Sequence, residues 1–147
     1  MAQNRDRYPV VVHVLVWEGG ESGRLALLKR ANTGFMDGYF ALPGGHQDQG
    51  ESVSAAAARE CTEELGIEPV HLEPVCVLPY RSGRHQGVNF VFSCDRYQGV
   101  PTINEPELFS DLVWVRADAL PQPLAPWIAN ALDAHSGGRW YQELAWD

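Results

Sequence analysis

The sequence predicts one mixed α/β domain over residues 1–147, and three observations lead to that prediction. A chain of 147 residues with 45% hydrophobic residues can bury one core. Segments with strand-like content lie on both sides of a segment with a helical pattern. The chain also carries no repeat, linker or low-complexity stretch that would divide it.

The first two strands are predicted at residues 8–17 and 24–29. The first segment is rich in β-branched residues, and Leu25 and Leu27 share one face of the second. Residues 18–23 include three glycines, which is typical of a turn. We therefore expect a β-hairpin at the start of the fold.

The segment between the second strand and the helix is predicted to be irregular. Residues 32–38 hold two glycines, an asparagine and an aspartate, which are typical of a loop. A short apolar piece, residues 40–42, leads into Pro43-Gly44-Gly45. We expect the chain to turn sharply there.

A helix is predicted over residues 52–65. This segment has no glycine or proline, and alanines occupy positions 55–58. Ser52 is suited to capping the start of the helix, and Gly66 to ending it. Strands at residues 70–80, 88–97 and 112–116 follow, and a second helix is predicted to begin near Pro126.

The charge of the chain restricts its partners. The formal net charge of −8 and the pI near 5.0 argue against a nucleic-acid polymer or an anionic membrane, since long-range attraction to phosphate holds such partners. A small phosphate compound would need cations to mediate its binding.

The cysteines and the N-terminal run bear on location. Cys61, Cys76 and Cys94 are odd in number and lack Cys-x-x-Cys spacing, which favours reduced thiols and a cytoplasmic protein. The apolar run at residues 10–17 has no small-residue cleavage site after it, so we interpret it as a buried strand and not as a signal peptide.

One face of the predicted helix is apolar and the next is acidic. At about 100° per residue, the helical spacing predicts that four side chains form the buried face: Ala57, Ala58, Cys61 and Leu65. Glu60, Glu63 and Glu64 share an arc of about 100° beside it. The arc could be a solvated acidic surface. If it is partly buried, it would favour a hard cation such as Mg²⁺ or Mn²⁺.

A glycine-rich loop enters this helix, and loop and helix together carry a spaced motif. Residues 44–51 can present backbone carbonyls and amides to a metal or a phosphate. Seven residues fit the pattern G-x5-E-x7-R-E-U-x-E-E-x-G-U, in which U is apolar: Gly45, Glu51, Arg59, Glu60, Glu63, Glu64 and Gly66. Seven fixed positions match by chance on the order of 10⁻⁸ times per starting point. The chain therefore resembles the Nudix, or MutT-like, hydrolases, with Cys61 where an aliphatic residue is commoner.

The resemblance extends beyond residues 45–67. The segments Arg30-x-Asn32-Thr33-Gly34 and Asn104-Glu105-Pro106 also resemble one bacterial-type branch of the family. The resemblance implies a single Nudix hydrolase domain, built as an α/β/α sandwich with a mixed β-sheet.

The resemblance also implies a metal site. Glu60, Glu63 and Glu64 would bind Mg²⁺ or Mn²⁺ together with the carbonyl of Gly45. Glu51 and Arg59 would support these ligands, with Arg59 pairing with a glutamate and fixing its orientation. The metal would assist the attack of water on phosphorus.

The proton acceptor is left open, because family members differ in which carboxylate takes the proton. The cluster of residues 60–64 is favoured, and Glu105 and Glu107 are candidates outside it. Glu105 could instead be a further metal ligand, or an exposed loop acid beside Pro106.

Three side chains are candidates for binding substrate. Phe35 and Tyr80 could stack on a base because they lie in or near loops, whereas Phe40, Phe90 and Phe92 fit a core. His46 could contact the substrate or simply occupy a turn. The other histidines, at positions 13, 71, 85 and 135, lack ligand spacing and are expected to be structural or solvent-facing.

The leading functional hypothesis is hydrolysis of a nucleoside triphosphate, ordinary or oxidised, to the monophosphate and pyrophosphate. The alternative is a nucleotide sugar such as ADP-ribose, or a dinucleoside polyphosphate. Subfamilies with those substrates often carry a proline or tyrosine near positions 82–85, where this chain has neither. A third hypothesis is a nucleotide-binding module without catalytic activity. Such modules typically lose glutamates of the motif, whereas Glu60, Glu63 and Glu64 are all present here.

Oligomeric state stays open as well. Family members often form homodimers, and the aromatic residues of the tail, residues 140–146, could lie at such an interface. They could equally cap the core.

Overall fold

The computed structural model describes residues 4–19 and 23–146 as nine strands and two helices. Along the chain these are β1 Val10–Val16, β2 Arg24–Arg30, β3 Phe40–Ala41, β4 Gly44–His46, α1 Val53–Leu65, β5 Glu68–Pro69, β6 Glu73–Ser82, β7 His85–Cys94, β8 Tyr97–Gln98, β9 Phe109–Arg116 and α2 Trp127–His135.

The strands form a mixed sheet and two smaller sheets. The largest has the order β4-β1-β7-β6, in which β1 and β7 run parallel and the other neighbours antiparallel. A second sheet has the antiparallel order β3-β2-β9, and β5 pairs with β8. The predicted combination of strands and helices is confirmed, and so is the mixed sheet.

The two helices cover opposite faces of these sheets. Side chains alternate along β1, so Val12 and Val14 join one core cluster and Leu15 joins the other. The first cluster contains the buried residues of α1, and the second contains Ile128 and Ala131 of α2. Burial of a leucine-sized side chain stabilises the fold by about 1.5–3 kcal/mol. The arrangement is the α/β/α sandwich that the resemblance implies.

The predicted hairpin is wrong. Strands β1 and β2 lie in different sheets, and they meet at the end of β1, where Trp17 bridges to Leu25 and the Glu18 N–H donates to the Arg24 carbonyl at 2.8 Å. Because β1 is buried on both faces, it takes a central place between β4 and β7. Residues 20–22 of the expected turn lie outside the described residues.

The sharp turn expected at Pro43-Gly44-Gly45 is present only as a bend at Pro43, between β3 and β4. Gly44–His46 is a short strand that pairs antiparallel with β1, with Gly45 opposite Val12. A Cβ atom on Gly44 would lie 3.0 Å from the Cα atom of His13, so glycine here permits a close approach of two strands. These glycines are therefore required by the close approach of β4 to β1, and not by a turn.

The remaining predicted elements are present with shifted ends. The first helix has its expected caps, Ser52 and Gly66, and the second begins directly after Pro126. The strand expected to end at Tyr80 continues to Ser82. The tail lies beside β6, with bridges from Val77 to Tyr141 and from Tyr80 to Leu144.

The three cysteines are buried and carry no disulfide, as expected. In the part of the chain that the structure describes, no helix is long and apolar enough to cross a membrane. A cytoplasmic location stays a prediction.

Candidate functional site

The site is built on helix α1, which is held at both ends. The Ser52 Oγ accepts a hydrogen bond from the Ala55 N–H at 3.1 Å. At the other end Gly66 adopts φ 69° and donates its N–H to the Thr62 carbonyl at 3.0 Å. A left-handed residue at this position is favourable for glycine, so the helix ends where the sequence predicted.

The buried face of α1 is wider than predicted and includes two of the three clustered glutamates. Glu60 is 9% exposed and Glu64 is 5% exposed, whereas the Glu63 side chain is 47% exposed. Ala56 is fully buried, and Ala58, which was placed on the buried face, is half-buried. The shift arises because strand β4 covers the side of the helix that bears Glu60 and Glu64.

Strand β4 touches both buried carboxylates. The Gly44 N–H donates to the Glu64 Oε2 at 3.3 Å. A Cβ atom on Gly45 would lie 2.7 Å from the Glu60 Cδ, so only glycine fits at this position without displacing the carboxylate. The two glycines therefore bring a backbone edge directly against the acidic side of the helix.

The two buried carboxylates destabilise each other when both are ionised. Burial raises the pKa of Glu64 well above its usual range, and the neighbouring Glu60 carboxylate raises it further, while the Gly44 N–H opposes the shift. At an effective dielectric of about 20, two like charges about 5 Å apart repel by about 3 kcal/mol. A proton or a cation is needed to relieve this repulsion.

The guanidinium group of Arg59 supplies positive charge beside these carboxylates. It also links the loop before α1 to the helix. Its Nη2 and Nε bind the Glu51 carboxylate at 2.7 Å and 3.0 Å. Its Nη1 contacts Glu60 at 3.0 Å and Glu63 at 3.2 Å, and its Nη2 also donates to the His46 carbonyl at 2.9 Å. The hydrogen bond to Glu51 and the charge of Glu60 raise the pKa of Arg59. The predicted pairing of Arg59 with a glutamate is therefore present.

Glu51 is held from both sides. In addition to Arg59, the Asp48 N–H donates to its Oε1 at 2.8 Å, and these hydrogen bonds lower the pKa of Glu51. The Gln47 side chain donates to the Glu51 carbonyl at 2.7 Å. The loop before α1 is thus folded around Glu51 and is not an open turn.

A second loop, residues 102–108, is bound to the end of α1 and carries Glu105. The Asn104 Nδ2 donates to the Glu63 carbonyl at 3.0 Å, and the Asn104 N–H to the Glu64 carbonyl at 3.0 Å. Burial raises the pKa of Glu105, and the charge of Glu63 raises it further. The structure therefore brings Glu105 to the acidic cluster, whereas Glu107 is exposed.

Nothing in the sequence singles out the side chain of Asn104, which is one residue of the segment Asn104-Glu105-Pro106. An amide side chain that donates to helix carbonyls has no local sequence signature, because the helix ends 39 residues earlier in the chain than Asn104, at Leu65. Contacts of this kind depend on how distant segments pack.

The loop that carries Phe35 is joined to residues 102–108. The Ala31 N–H donates to the Leu108 carbonyl at 2.8 Å. The Arg30 Nε donates to the Phe35 carbonyl at 2.7 Å, and the Phe35 ring lies 5.6 Å from the Arg30 guanidinium carbon. Phe35 is 58% exposed, which leaves one side of its ring open to a ligand. Its role in binding substrate stays a prediction.

The other aromatic candidates are less open. Tyr80 lies two residues inside β6, opposite Gly87, and a Cβ atom on Gly87 would lie 2.6 Å from the tyrosine Oη. Tyr80 therefore lies inside a strand but near the turn between β6 and β7, and its role in binding substrate stays a prediction. Phe92 is buried in the core and Phe90 packs beside it, as expected.

The histidines divide as expected between structural and surface positions. His13 is buried and its Nε2 lies 2.8 Å from the Asn89 Oδ1. His71 contacts Glu73 at 2.8 Å on the surface, and the His135 ring packs 4.8 Å from that of Trp17. The His46 side chain is exposed, so a contact with substrate stays a prediction.

The residues present fit a hard divalent cation, although the arrangement is not closed around one. In residues 4–19 and 23–146, no three His, Cys, Asp or Glu side chains converge on a common point at coordination distance. Arg59 binds Glu60 and Glu63 instead. Two buried carboxylates, Glu60 and Glu64, and the adjacent backbone edge of β4 nevertheless form the oxygen-rich donor set that Mg²⁺ and Mn²⁺ prefer.

Comparison with protein families gives a match over most of the chain. The NUDIX domain family model matches residues 7–135. A crystal structure of a MutT NUDIX hydrolase from Burkholderia pseudomallei superimposes with a TM-score of 0.80 at 30% identity, and the match covers 88% of this chain and 98% of that one.

Three relatives with assigned activities differ in how much of their length is matched. An 8-oxo-dGTP diphosphatase of Escherichia coli is 30% identical over 112 residues, which cover 75% of this chain and 87% of that protein. An ADP-ribose pyrophosphatase of Methanocaldococcus jannaschii is 36% identical over 94 residues, which cover 60% of this chain and 55% of that protein. An isopentenyl-diphosphate Delta-isomerase of Rhodobacter capsulatus is 31% identical over 102 residues, which cover 61% and 58%. The matches to the last two proteins thus span little more than half of their length.

Proposed function

The chain belongs to the Nudix hydrolase family, and on that premise we propose that it hydrolyses nucleoside triphosphates, ordinary or oxidised, to the monophosphate and pyrophosphate. The wider assignment, a hydrolase of nucleotide derivatives, follows from the family and its named relatives.

A single observation carries the proposal. Glu60 and Glu64 are buried side by side against Gly44 and Gly45, and the only positive group in contact with Glu60 among the described residues is Arg59. A solvated acidic surface would not bury two carboxylates, because removing a charge from water is unfavourable unless a proton or a cation balances it. The arrangement therefore favours a site that takes up positive charge.

We propose that the cation is Mg²⁺ or Mn²⁺. Its ligands would be the carboxylates of Glu60, Glu63 and Glu64 and the carbonyl of Gly45, with Glu105 as a further ligand. When bound, such an ion withdraws charge from phosphate oxygens and lowers the pKa of the attacking water. With a net charge of −8, the chain offers few positive groups for a polyphosphate, so a cation is also needed to bring the substrate in.

Arg59 and Glu51 hold the proposed ligands in place. The bidentate hydrogen bond between Arg59 and Glu51 fixes the plane of the guanidinium group. In this orientation the Arg59 Nη1 points toward Glu60 and Glu63. Hydrogen bonds of this kind orient ligand side chains and tune their affinity for metal. Arg59 and Glu51 would thus act on the reaction through the carboxylates they orient.

The reaction needs one proton acceptor from the chain. The oxygen of water forms a bond to phosphorus, the phosphoanhydride P–O bond breaks, and its electron pair stays with the leaving group, which is either the nucleoside monophosphate or pyrophosphate. The proton of the water goes to a carboxylate. We propose that this carboxylate belongs to the cluster of Glu60, Glu63 and Glu64, with Glu105 and Glu107 as alternatives.

A nucleoside base would contact the aromatic residues near the site. Phe35 is the strongest candidate for stacking because its ring is exposed and its loop is hydrogen-bonded to the loop of Glu105. We propose His46 as a contact to phosphate or base, since it follows Gly45 directly and its side chain is exposed. Tyr80 is a weaker candidate because its ring covers Gly87.

The relatives support the order of the two substrate classes. The 8-oxo-dGTP diphosphatase is matched over 87% of its length, whereas the ADP-ribose pyrophosphatase is matched over 55%. The second class, a nucleotide sugar or a dinucleoside polyphosphate, remains the alternative because the ADP-ribose pyrophosphatase has the higher identity, 36%.

The test is release of pyrophosphate and phosphate from a panel of ordinary and oxidised nucleoside triphosphates, ADP-ribose and a dinucleoside polyphosphate. Each substrate is assayed with Mg²⁺ and with EDTA. Release of pyrophosphate from triphosphates that EDTA abolishes supports the proposal. EDTA-sensitive release from ADP-ribose alone would replace the substrate class. No turnover of any substrate would favour a nucleotide-binding module without catalysis.

A further inference from the structure

The carbonyl groups at the end of α1 are taken up by distinct partners. The last four carbonyls of a helix have no partner within it. Here the Thr62 carbonyl accepts the Gly66 N–H at 3.0 Å, and the Leu65 carbonyl accepts the Thr102 N–H at 3.0 Å. The Glu64 carbonyl accepts the Asn104 N–H at 3.0 Å. Backbone groups alone thus satisfy three of these carbonyls.

The fourth carbonyl depends on a side chain. The Nδ2 of Asn104 donates to the Glu63 carbonyl at 3.0 Å and lies 3.4 Å from the Thr62 carbonyl. Asn104 is itself exposed, so water could replace its amide at little cost to the helix. The end of α1 is already closed by Gly66, and the side chain of Asn104 is therefore not needed to end it.

The Asn104 side chain adds to the backbone hydrogen bonds that fix the position of the next residue. Asn104 is bound to the peptide groups of Glu63 and Glu64, whose carboxylates form the acidic cluster, and Glu105 follows it directly. Glu105 is half-buried, and its carboxylate lies close enough to Glu63 and Glu60 for their charges to raise its pKa. Arg59 contacts Glu60 and Glu63, and repulsion from these carboxylates would move Glu105 away from the cluster unless its backbone were held.

The far side of the same loop is held as well. The Glu105 carbonyl accepts the Leu108 N–H at 3.0 Å and the Phe109 N–H at 3.1 Å. The Leu108 carbonyl in turn accepts the Ala31 N–H at 2.8 Å. Among the described residues, this loop is hydrogen-bonded to the helix only on the Asn104 side of Glu105, through the Thr102 and Asn104 N–H groups and the Asn104 amide. These contacts together set the distance between Glu105 and the other carboxylates.

We propose that Asn104 is a positioning residue, whose amide holds Glu105 against the acidic cluster of α1 so that Glu105 can complete the cation site. This inference rests on the function proposed above. It differs from an ordinary helix cap in one respect: the effect of Asn104 on metal binding must pass through the carboxylate of Glu105.

A double-mutant cycle tests that difference. Mn²⁺ affinity is measured by electron paramagnetic resonance and calorimetry on the full chain, for the wild type, Asn104→Ala, Glu105→Gln and the double variant. We expect Asn104→Ala to weaken Mn²⁺ binding by about tenfold, the lower end of the effect of removing a group that orients a ligand. In the Glu105→Gln background we expect Asn104→Ala to have no further effect.

Thr102→Ala is the matched control. It lies in the same loop and contributes only its backbone N–H to the end of α1, which the substitution leaves in place. We expect wild-type Mn²⁺ affinity for this variant. In turnover at Mn²⁺ concentrations that saturate both proteins, Asn104→Ala should lower kcat and leave KM nearly unchanged, because the metal is then bound in both and the nucleoside is held elsewhere.

Several outcomes would overturn the inference. An equal loss of affinity from Asn104→Ala in both backgrounds would make it a general stabiliser of the helix end. Wild-type affinity in Asn104→Ala, or in Glu105→Gln, would remove the proposed link. If the wild type binds Mn²⁺ in an Asn104-dependent way but hydrolyses none of the nucleotides, the proposed function fails and the positioning role stands. A wild type that binds no Mn²⁺ overturns both.

Discussion

Gly45 lies against the carboxylate of Glu60 so closely that a methyl group at position 45 would sit 2.7 Å from the Glu60 Cδ. The contact joins a backbone position on β4 to a side chain on α1 that is 9% exposed. The glycine at this point of the motif is thus required by the space that a buried carboxylate occupies.

Gly45→Ala should therefore reduce activity much more than stability. The added methyl group must push the Glu60 carboxylate away from β4, because the strand itself is held by its pairing with β1. We expect kcat to fall by about 10²-fold or more, as misplacement by about 1 Å is enough for such a loss. The measurement is steady-state kinetics together with a thermal melt.

Gly19→Ala serves as the control, since a Cβ atom at position 19 would meet nothing within 4 Å. Unchanged kinetics for Gly45→Ala would show that Glu60 can move freely, and the assignment of Glu60 as a ligand would then be wrong.

Glu63→Gln should remove most turnover while the fold stays intact. The substitution preserves volume, and the Glu63 side chain is 47% exposed, so packing is not disturbed. It removes one of the charges that the proposed cation needs, and we expect a loss of about 100-fold or more in kcat/KM. Glu68→Gln, an exposed carboxylate on β5, is the control. Turnover equal to that of the wild type would remove Glu63 from the metal site.

The local parts of this site could be predicted from the sequence. The ends of α1 follow from Ser52 and Gly66, because capping depends on residues within a few positions of each other. The shared side of Glu60 and Glu64 follows from helical spacing. Interactions of this range are encoded in adjacent residues, and the structure agrees with them.

The parts that failed depend on packing between distant segments. Helical spacing could not show that β4 covers Glu60 and Glu64, so the predicted buried face included Ala58 and omitted Ala56. Strand β1 was assigned the wrong neighbour because a run of β-branched residues identifies a buried strand without identifying its partner. Alternation and propensity carry no information on pairing over such distances.

Glu64→Gln should separate the stability of the metal-free protein from its response to metal. The raised pKa of Glu64 means that ionising this carboxyl at neutral pH costs stability relative to the unfolded chain, where its pKa is ordinary. The substitution removes that cost, so we expect an equal or higher melting temperature without metal. A Mg²⁺ concentration of about 100 times the Kd should raise the melting temperature of the wild type by about 5 to 10 °C. The variant should lose this gain.

Thermal melts with and without Mg²⁺ measure both effects, with Glu68→Gln again as the control. A wild type whose melting temperature does not respond to Mg²⁺ would indicate a solvated acidic surface in place of a metal site. A variant that keeps the full gain would show that Glu64 is not a ligand.

His13 introduces a separate dependence of stability on pH. It lies on β1, facing α2, where its ring packs 5.3 Å from that of Trp127 and its Nε2 lies 2.8 Å from the Asn89 Oδ1. Burial lowers the pKa of His13 to about 4, and the hydrogen bond to Asn89 opposes the shift only in part. The imidazole is therefore neutral in the folded protein at pH 7.

Stability should fall as the pH drops from about 6.5 to about 4, because in this window the unfolded chain binds a proton at His13 and the folded chain does not. A lowered pKa of this size corresponds to a loss of up to about 3 kcal/mol in the free energy of unfolding at about pH 4.

The measurement is urea denaturation of the wild type and His13→Gln at pH 7 and pH 5. Glutamine can keep a hydrogen bond to Asn89 but does not titrate, so the wild type should lose more stability than the variant between these two pH values. His71→Gln, at an exposed position beside Glu73, should behave like the wild type. Equal losses in the wild type and His13→Gln would mean that His13 is protonated in the folded state, which its buried position argues against.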